Sequence, residues 1–335
     1  MNYSIRREGL KLLGLFFTVI STLQMLHADT SRVQSFNLHA GWNAIYLPVA
    51  PTNSDPAVVF SNLPVSIAAA FFGNGSPVQF IQNPGGISWK RDGWSVWYAG
   101  SRPDAFLSTL SAINGNQAYL IYADQDFIWN VRGEVTLPAA KWKPDSYNFS
   151  GFGVNAASPP TFARYFAGST AHQPGKIYRL VNNQWTLIAN TTNTTMAAGE
   201  ACWVYCHGAS DYQGPLTVKP SAGSSVSFGS TGEAPVYLEN RTADPLTVTV
   251  ETVDPAGSVP LGYVVRAVTD GKAGNNTFDL PAQYTPPTLE AKDNSWLWLK
   301  LRREKMTSAS QSSLLKISTD SGAEVWLPVA GTLVP

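Results

Sequence analysis

The chain has 335 residues, and its 23 Lys and Arg are balanced by 23 Asp and Glu. Charged residues make up only 14% of it, against about 25% in an ordinary soluble protein, whereas aromatics reach 12% with 11 Trp. Such a balance offers no basic field for nucleic acid, and the shortage of Lys, Glu and Arg beside plentiful Thr, Ser, Val, Asn and Gly argues against a mainly helical fold. The length suggests two or three domains.

The first residues read as a targeting signal. Arg6, Arg7 and Lys11 precede an apolar run from Leu12 to Leu26, and Leu26-His27-Ala28 places a small residue at a cleavage edge before Asp29. The run is broken by Thr18, Ser21, Thr22 and Gln24 and falls short of the roughly 18 to 20 residues of a membrane span. A signal peptide over 1–28 is expected, and with it an exported protein of periplasm, cell surface or medium with no transmembrane segment in the mature chain. Arg6-Arg7 also loosely resembles a twin-arginine motif, with Gly9 where a bulky apolar residue is expected, so the export route is left open.

The first module is expected over 36–138. Phe36 to His39 reads as a strand, Ala40-Gly41 as a turn, and Trp42 to Val49 as a strand apolar on both faces and therefore central. Asp55-Pro56 opens a short helix. Turns follow at Asn74-Gly75-Ser76-Pro77 and Asn83-Pro84-Gly85-Gly86, on either side of Val78 to Ile81. Trp94 to Tyr98 is a clear strand, Ala105 to Ile113 reads as a helix, and Gly115 to Ala123 forms a hairpin with Phe127 to Gly133 through Asp124-Gln125-Asp126.

A second module over 142–219 replays this order. Tyr147 to Val154 stands for Trp42 to Val49, Pro160 to Phe166 for the helix at Pro56, and Gln184 to Ile188 for the Trp94 strand. Gly199 to Tyr205 matches Gly115 to Ile121, and Gly214 to Val218 matches Gly133 to Leu137. Units of this length imply two homologous domains in tandem, since solenoid repeats run about 20 to 50 residues.

The third module, over 224–335, holds eight short strand signals: Val226 to Gly229, Ala234 to Asn240, Leu246 to Val253, Tyr263 to Val268, Thr277 to Leu280, Ser295 to Leu301, Leu314 to Ser318 and Glu324 to Pro328. That density fits an immunoglobulin-like or fibronectin-like sandwich. The expected fold is thus mainly β: two tandem homologous β-rich modules with short helices, then a β-sandwich. Lys300 to Lys305, after Trp296-Leu297-Trp298-Leu299, reads as a strand leaving a core for a solvated loop.

The opening Gly41-Trp42-Asn43 to Pro48-Val49, the closing Gly-x-x-[Ala/Cys]-[Tyr/Trp] strand and the Ig-like module together resemble exported multi-module β proteins of Planctomycetes- and Verrucomicrobia-type bacteria. The resemblance covers nearly all of the mature chain and implies an envelope or extracellular role, in proteins where such modules precede adhesive or lectin-like domains. It carries no catalytic residue.

Motifs for catalysis are missing: no nucleophile elbow, zinc-protease motif, Walker A loop or dinucleotide fingerprint occurs. No cofactor and no metal site is expected; His39, His172 and His207 stand in different settings. Cys202 and Cys206 lie four apart on one strand, about 13 Å, beyond disulfide reach without a bend. A paired-carboxylate glycosidase leaves no local signature, so Asp92, Asp104, Asp124, Asp126 and Glu200 are candidates for that alternative. The aromatic segments suggest a ligand. Sugar rings present apolar C–H faces that stack on Trp and Tyr, and Trp89, Trp94, Trp97, Tyr98, Trp129 and Trp185 could supply the platform, with Trp94, Trp97 and Trp185 as the residues to test. The leading expectation is a non-enzymatic structural or adhesive protein whose partner is a polysaccharide or cell-surface protein; a third possibility is an assembly protein using an Ig-like edge strand.

Overall fold

The computed structural model describes residues 30–73, 93–138, 141–253, 258–269 and 272–334. The leader, the turns between Asn74 and Gly86, the Val78 to Ile81 segment, Trp89 and Asp92 lie outside the described residues.

The first unit contains β1 (Ser31–Leu38), β2 (Gly41–Leu47), β3 (Val49–Pro51), helix α1 (Pro56–Val59), β4 (Val65–Phe71), β5 (Trp94–Tyr98), β6 (Gln117–Ala123) and β7 (Phe127–Val135). Asp55 caps α1 by accepting the Ala57 N–H at 2.9 Å. These strands form two sheets, one ordered β1-β7-β3 and one β2-β6-β4-β5. β6 and β7 are therefore not a hairpin: the chain at Asp124 to Asp126 crosses from one sheet to the other. Between the sheets lie Leu47, Val49, Ile121, Tyr119, Trp129 and their neighbours. The strand at Trp42 is covered on both faces as expected, yet it is an edge of its sheet, and β6 and β4 are the strands with partners on both sides.

The second unit comprises β8 (Ser146–Gly151), α2 (Phe162–Phe166), β9 (Ile177–Val181), β10 (Gln184–Leu187) and β11 (Ala201–Cys206). Thr161 caps α2 through the Arg164 N–H. Its sheet is ordered β8-β11-β9-β10, which is strand for strand the order β2-β6-β4-β5. The ladders fix the correspondence: Tyr46 pairs with Ala118 and Gly151 with Ala201, Ala69 with Leu120 and Tyr178 with Trp203. Trp94 thus corresponds to Trp185, as the sequence implies. In the closing strand, however, Leu120 corresponds to Trp203, so matching Gly115 with Gly199 is one residue out. Because strand side chains alternate, one residue exchanges the two faces. Tyr119 points into the first unit's own core, and Trp203 into the core shared between the units.

The two equivalent sheets pack face to face. Phe71, Trp94 and Leu120 from one and Phe149, Trp185 and Trp203 from the other form a single aromatic core. β6 lies against β8 and β11 against β2, while β2 meets β8. Those contacts exchange into one another when the repeats are swapped, the mark of a pseudo-two-fold, isologous interface. Gly151 permits it, since a Cβ there would land on the Tyr46 side chain.

The third unit contains β12 (Leu216–Pro220), β13 (Val226–Ser227), β14 (Glu233–Asn240), β15 (Val248–Val253), β16 (Leu261–Thr269), β17 (Lys272–Asp279), β18 (Gln283–Tyr284), β19 (Asn294–Leu301), β20 (Ser310–Thr319) and β21 (Glu324–Thr332). They make two five-stranded sheets, β12-β14-β19-β16-β17 and β13-β21-β20-β15-β18, an Ig-like sandwich around Val236, Val248, Leu299, Leu315 and Leu327. β12, expected in the second module, pairs with β14 from Leu216 to Pro220. The sandwich therefore begins at Leu216 and not at Ser224. The β20–β21 turn reaches back to the second unit through the Glu324 N–H to the Gly153 carbonyl, 3.1 Å.

Candidate functional site

The expected sugar platform is occupied by protein. Trp94 and Trp185 are 8% and 5% exposed, and both sit in the core between the repeats. Trp94 lies 5.3 Å from Phe71 and 6.2 Å from Trp203, and Trp185 lies 5.7 Å from Phe149, ring to ring. The two indoles do belong together, but as equivalent halves of an interface. Trp97 faces the other way and packs half-buried on Phe60 at 5.2 Å. Trp129 is buried against Phe36, and Tyr98 is buried as well. Alternation within β5 was legible; a second sheet covering its Trp94 face was not.

The candidate acids stay apart. Asp104 holds Arg102 at 2.8 and 2.9 Å, and that ion pair keeps its carboxyl below the ordinary range. Asp126 accepts the Ala40 N–H at 2.7 Å, which lowers its pKa in the same direction. Glu200 pairs with Arg179 at 2.6 Å. Asp124 lies in the turn after β6, its N–H bonded to the Pro64 carbonyl. None of the five main cavities among the described residues is lined by two of these acids. A general acid needs a raised pKa; the shifts at Asp104 and Asp126 run the other way.

Cys202 and Cys206 are free and buried on the continuous strand β11, and burial pushes both thiols up. His172 lies in a cage of Trp142 and Phe166, at 4.2 and 5.0 Å, with Nδ1 2.7 Å from the Ser169 hydroxyl. Burial there drives its pKa down to about 4. His207 rests on Tyr205. Among the described residues no cluster of three His, Cys, Asp or Glu could hold a metal.

The aromatic surface lies instead on the outer face of the sandwich. In β19, Leu297, Leu299 and Leu301 point inward, which turns Trp296 and Trp298 outward. Trp296 is 51% exposed. The register places Lys219, Tyr237 and Trp296 in one row across β12, β14 and β19, with the Tyr237 and Trp296 rings 5.2 Å apart. The Arg266 guanidinium covers Trp298 at 3.4 Å. β16 pairs with β19 only from Leu261 to Tyr263; beyond it a groove of about 410 Å³ opens, lined by Val264, Arg266, Tyr284, Pro286, Trp296 and Trp298. The sequence carried a signal for this face: in Trp296-Leu297-Trp298-Leu299, a core on the Leu side commits both Trp to the outside.

No protein-family model matches the chain, and no curated protein matches it either. Among solved structures, the seventh PapD-like (ASH) domain of human CEP192 aligns over 36% of this chain and 85% of its own, at 13% identity and a TM-score of 0.23. Escherichia coli alpha-2-macroglobulin activated by porcine elastase aligns over 91% of this chain and 33% of its own, at 10% identity and a TM-score of 0.19.

Proposed function

We propose that the protein is an exported, non-enzymatic binding protein, structural or adhesive in role, whose C-terminal sandwich meets an envelope or extracellular polysaccharide through its aromatic row. The observation that carries this reading is Trp296, half exposed beside Tyr237 on the outer sheet face. Adjoining aromatic rings left to water can mark a contact site, and a row running from Lys219 through Tyr237 to Trp296 beside the Arg266 groove offers a sugar both a stacking face and hydrogen-bond donors. Export is supported by the charged and apolar pattern of residues 1–28.

The test is a pull-down on a panel of insoluble polysaccharides, with soluble sugar assayed in the same tubes. Trp296→Ala is expected to weaken retention at least about tenfold, the equivalent of about 1.4 kcal/mol, and Trp94→Phe to leave it unchanged. Equal retention of the Trp296 variant would sink the site, and release of soluble sugar would overturn the non-enzymatic reading. One observation favours a second reading, strand addition by a protein partner: β19 has no ladder with β16 from Ser295 to Trp298. Retention by a cell-surface protein and by none of the polysaccharides would select it.

A further inference from the structure

A cleft of about 310 Å³ opens where the three units meet, between β1, the segment after β8 and the start of β21. Its volume is at the lower end of small-molecule sites, roughly 300 to 1,000 Å³. Pro138, Phe152, Val154 and Trp326 give it an apolar wall. Arg32 is the one cation among its lining residues and Glu324 the one acid.

The chemistry concentrates on Arg32. Its guanidinium lies over the Trp326 ring at 4.2 Å, so one face of the plane is taken. The end is not: Nε is buried out of reach and without a hydrogen-bond partner, and the two terminal nitrogens, which are not enclosed, have no hydrogen bond among the described residues either. Burial lowers the Arg32 pKa, and the Glu324 charge opposes that shift. Glu324 is itself engaged, its Oε1 accepting the Trp326 indole N–H at 2.6 Å. A buried donor left unsatisfied costs about 1 to 3 kcal/mol, more when charged. A carboxylate satisfies a guanidinium edge in its own plane with two parallel bonds, which stacking on Trp326 does not obstruct.

We propose that this cleft binds a small carboxylate with an apolar body, the carboxylate forked onto the two terminal nitrogens of Arg32 and the body against Phe152, Val154 and Trp326. An amine would leave Arg32 unsatisfied and repelled, and an alcohol could accept only one weaker bond. The site is separate from the Trp296 row, so either can fail alone.

Calorimetric titration of the whole protein with phenylacetate and with 2-phenylethanol tests the assignment. Phenylacetate is expected to bind at least about tenfold more tightly than the alcohol. Arg32→Gln should abolish that preference and Arg32→Lys retain part of it, since Lys keeps the charge without the fork. Ala157→Trp, at the exposed rim of the cleft, should weaken phenylacetate with Arg32 intact, which covers the case of an Arg32 variant that does not fold. Equal affinity for acid and alcohol, undiminished binding in Arg32→Gln and Ala157→Trp, or no heat from phenylacetate up to about 10 mM would each overturn it.

Discussion

Gly41 has φ +97°, and a Cβ there would sit 2.7 Å from Asn183 Oδ1. That same oxygen accepts the Trp42 N–H at 2.7 Å, while Asn43 closes the turn through the His39 and Gly41 carbonyls. The Gly-Trp-Asn signature is therefore a clasp between repeats. Its sequence announced a tight turn; its partner, 141 residues away in the β9–β10 turn, left no local trace. His172 was equally opaque, because a lone His says nothing of the aromatic cage built by distant segments. Its folded pKa of about 4 lies below the ordinary 6.5, so the unfolded chain binds the proton more readily. The associated stability is complete above about pH 6.5 and is lost as pH falls through 4, up to about 3 kcal/mol in all. Urea unfolding followed between pH 7 and 4 should show a declining midpoint, and His172→Phe should flatten that acid limb. A parallel decline in the variant would remove His172 as its source.

Among the elements, β4 escaped sequence reading for a physical reason. Val65-Ser66-Ile67-Ala68-Ala69-Ala70-Phe71 is buried at every position, and a strand covered on both faces loses the alternation that identifies strands. Its alanines make room for rings: Ala69 shares a cluster with Trp94 and Trp203. Ala69→Leu should overpack this core and cost about 1 to 3 kcal/mol in denaturant unfolding; a neutral result would show slack that the packing does not suggest. Ala105 to Ile113 failed as a helix through hydroxyl chemistry. Ser108 and Thr109 accept the Tyr98 and Val96 N–H groups at 3.0 Å, so the chain runs extended along β5 after a single 3-10 turn at Ala105–Leu107. Ser and Thr commonly offer the backbone such alternatives to helix. The eight strands read in the sandwich, by contrast, all formed, since one solvated face preserves their period of two.

At the scale of the molecule, sheets alternate with cores: β1-β7-β3, the first core, β2-β6-β4-β5, the aromatic core, then β8-β11-β9-β10, whose far face packs with α2 around Phe162, Phe166 and Tyr212. Duplication was readable because residues repeat in order, whereas the manner of pairing was not, since a face-to-face contact is set by shape across the whole surface. The edge strand β12 moves the sandwich boundary. A fragment from Gly214 to Val334 should accordingly melt at higher temperature than one from Ser224, which lacks the buried Leu216 and leaves β14 paired with β19 alone, its other edge bare. Equal melting temperatures would return β12 to the second unit. The shared aromatic core also bears on how such a chain can change. An isologous contact between two copies joined in one polypeptide is a dimer that can no longer dissociate: each half meets the other at an effective concentration in the millimolar range whatever the protein's abundance. Fusion also releases the halves from identity. Phe71 and Trp94 could become Leu180 and Trp185 on the other side, and one half could lend its last strand to a neighbour, without either having to fit a copy of itself.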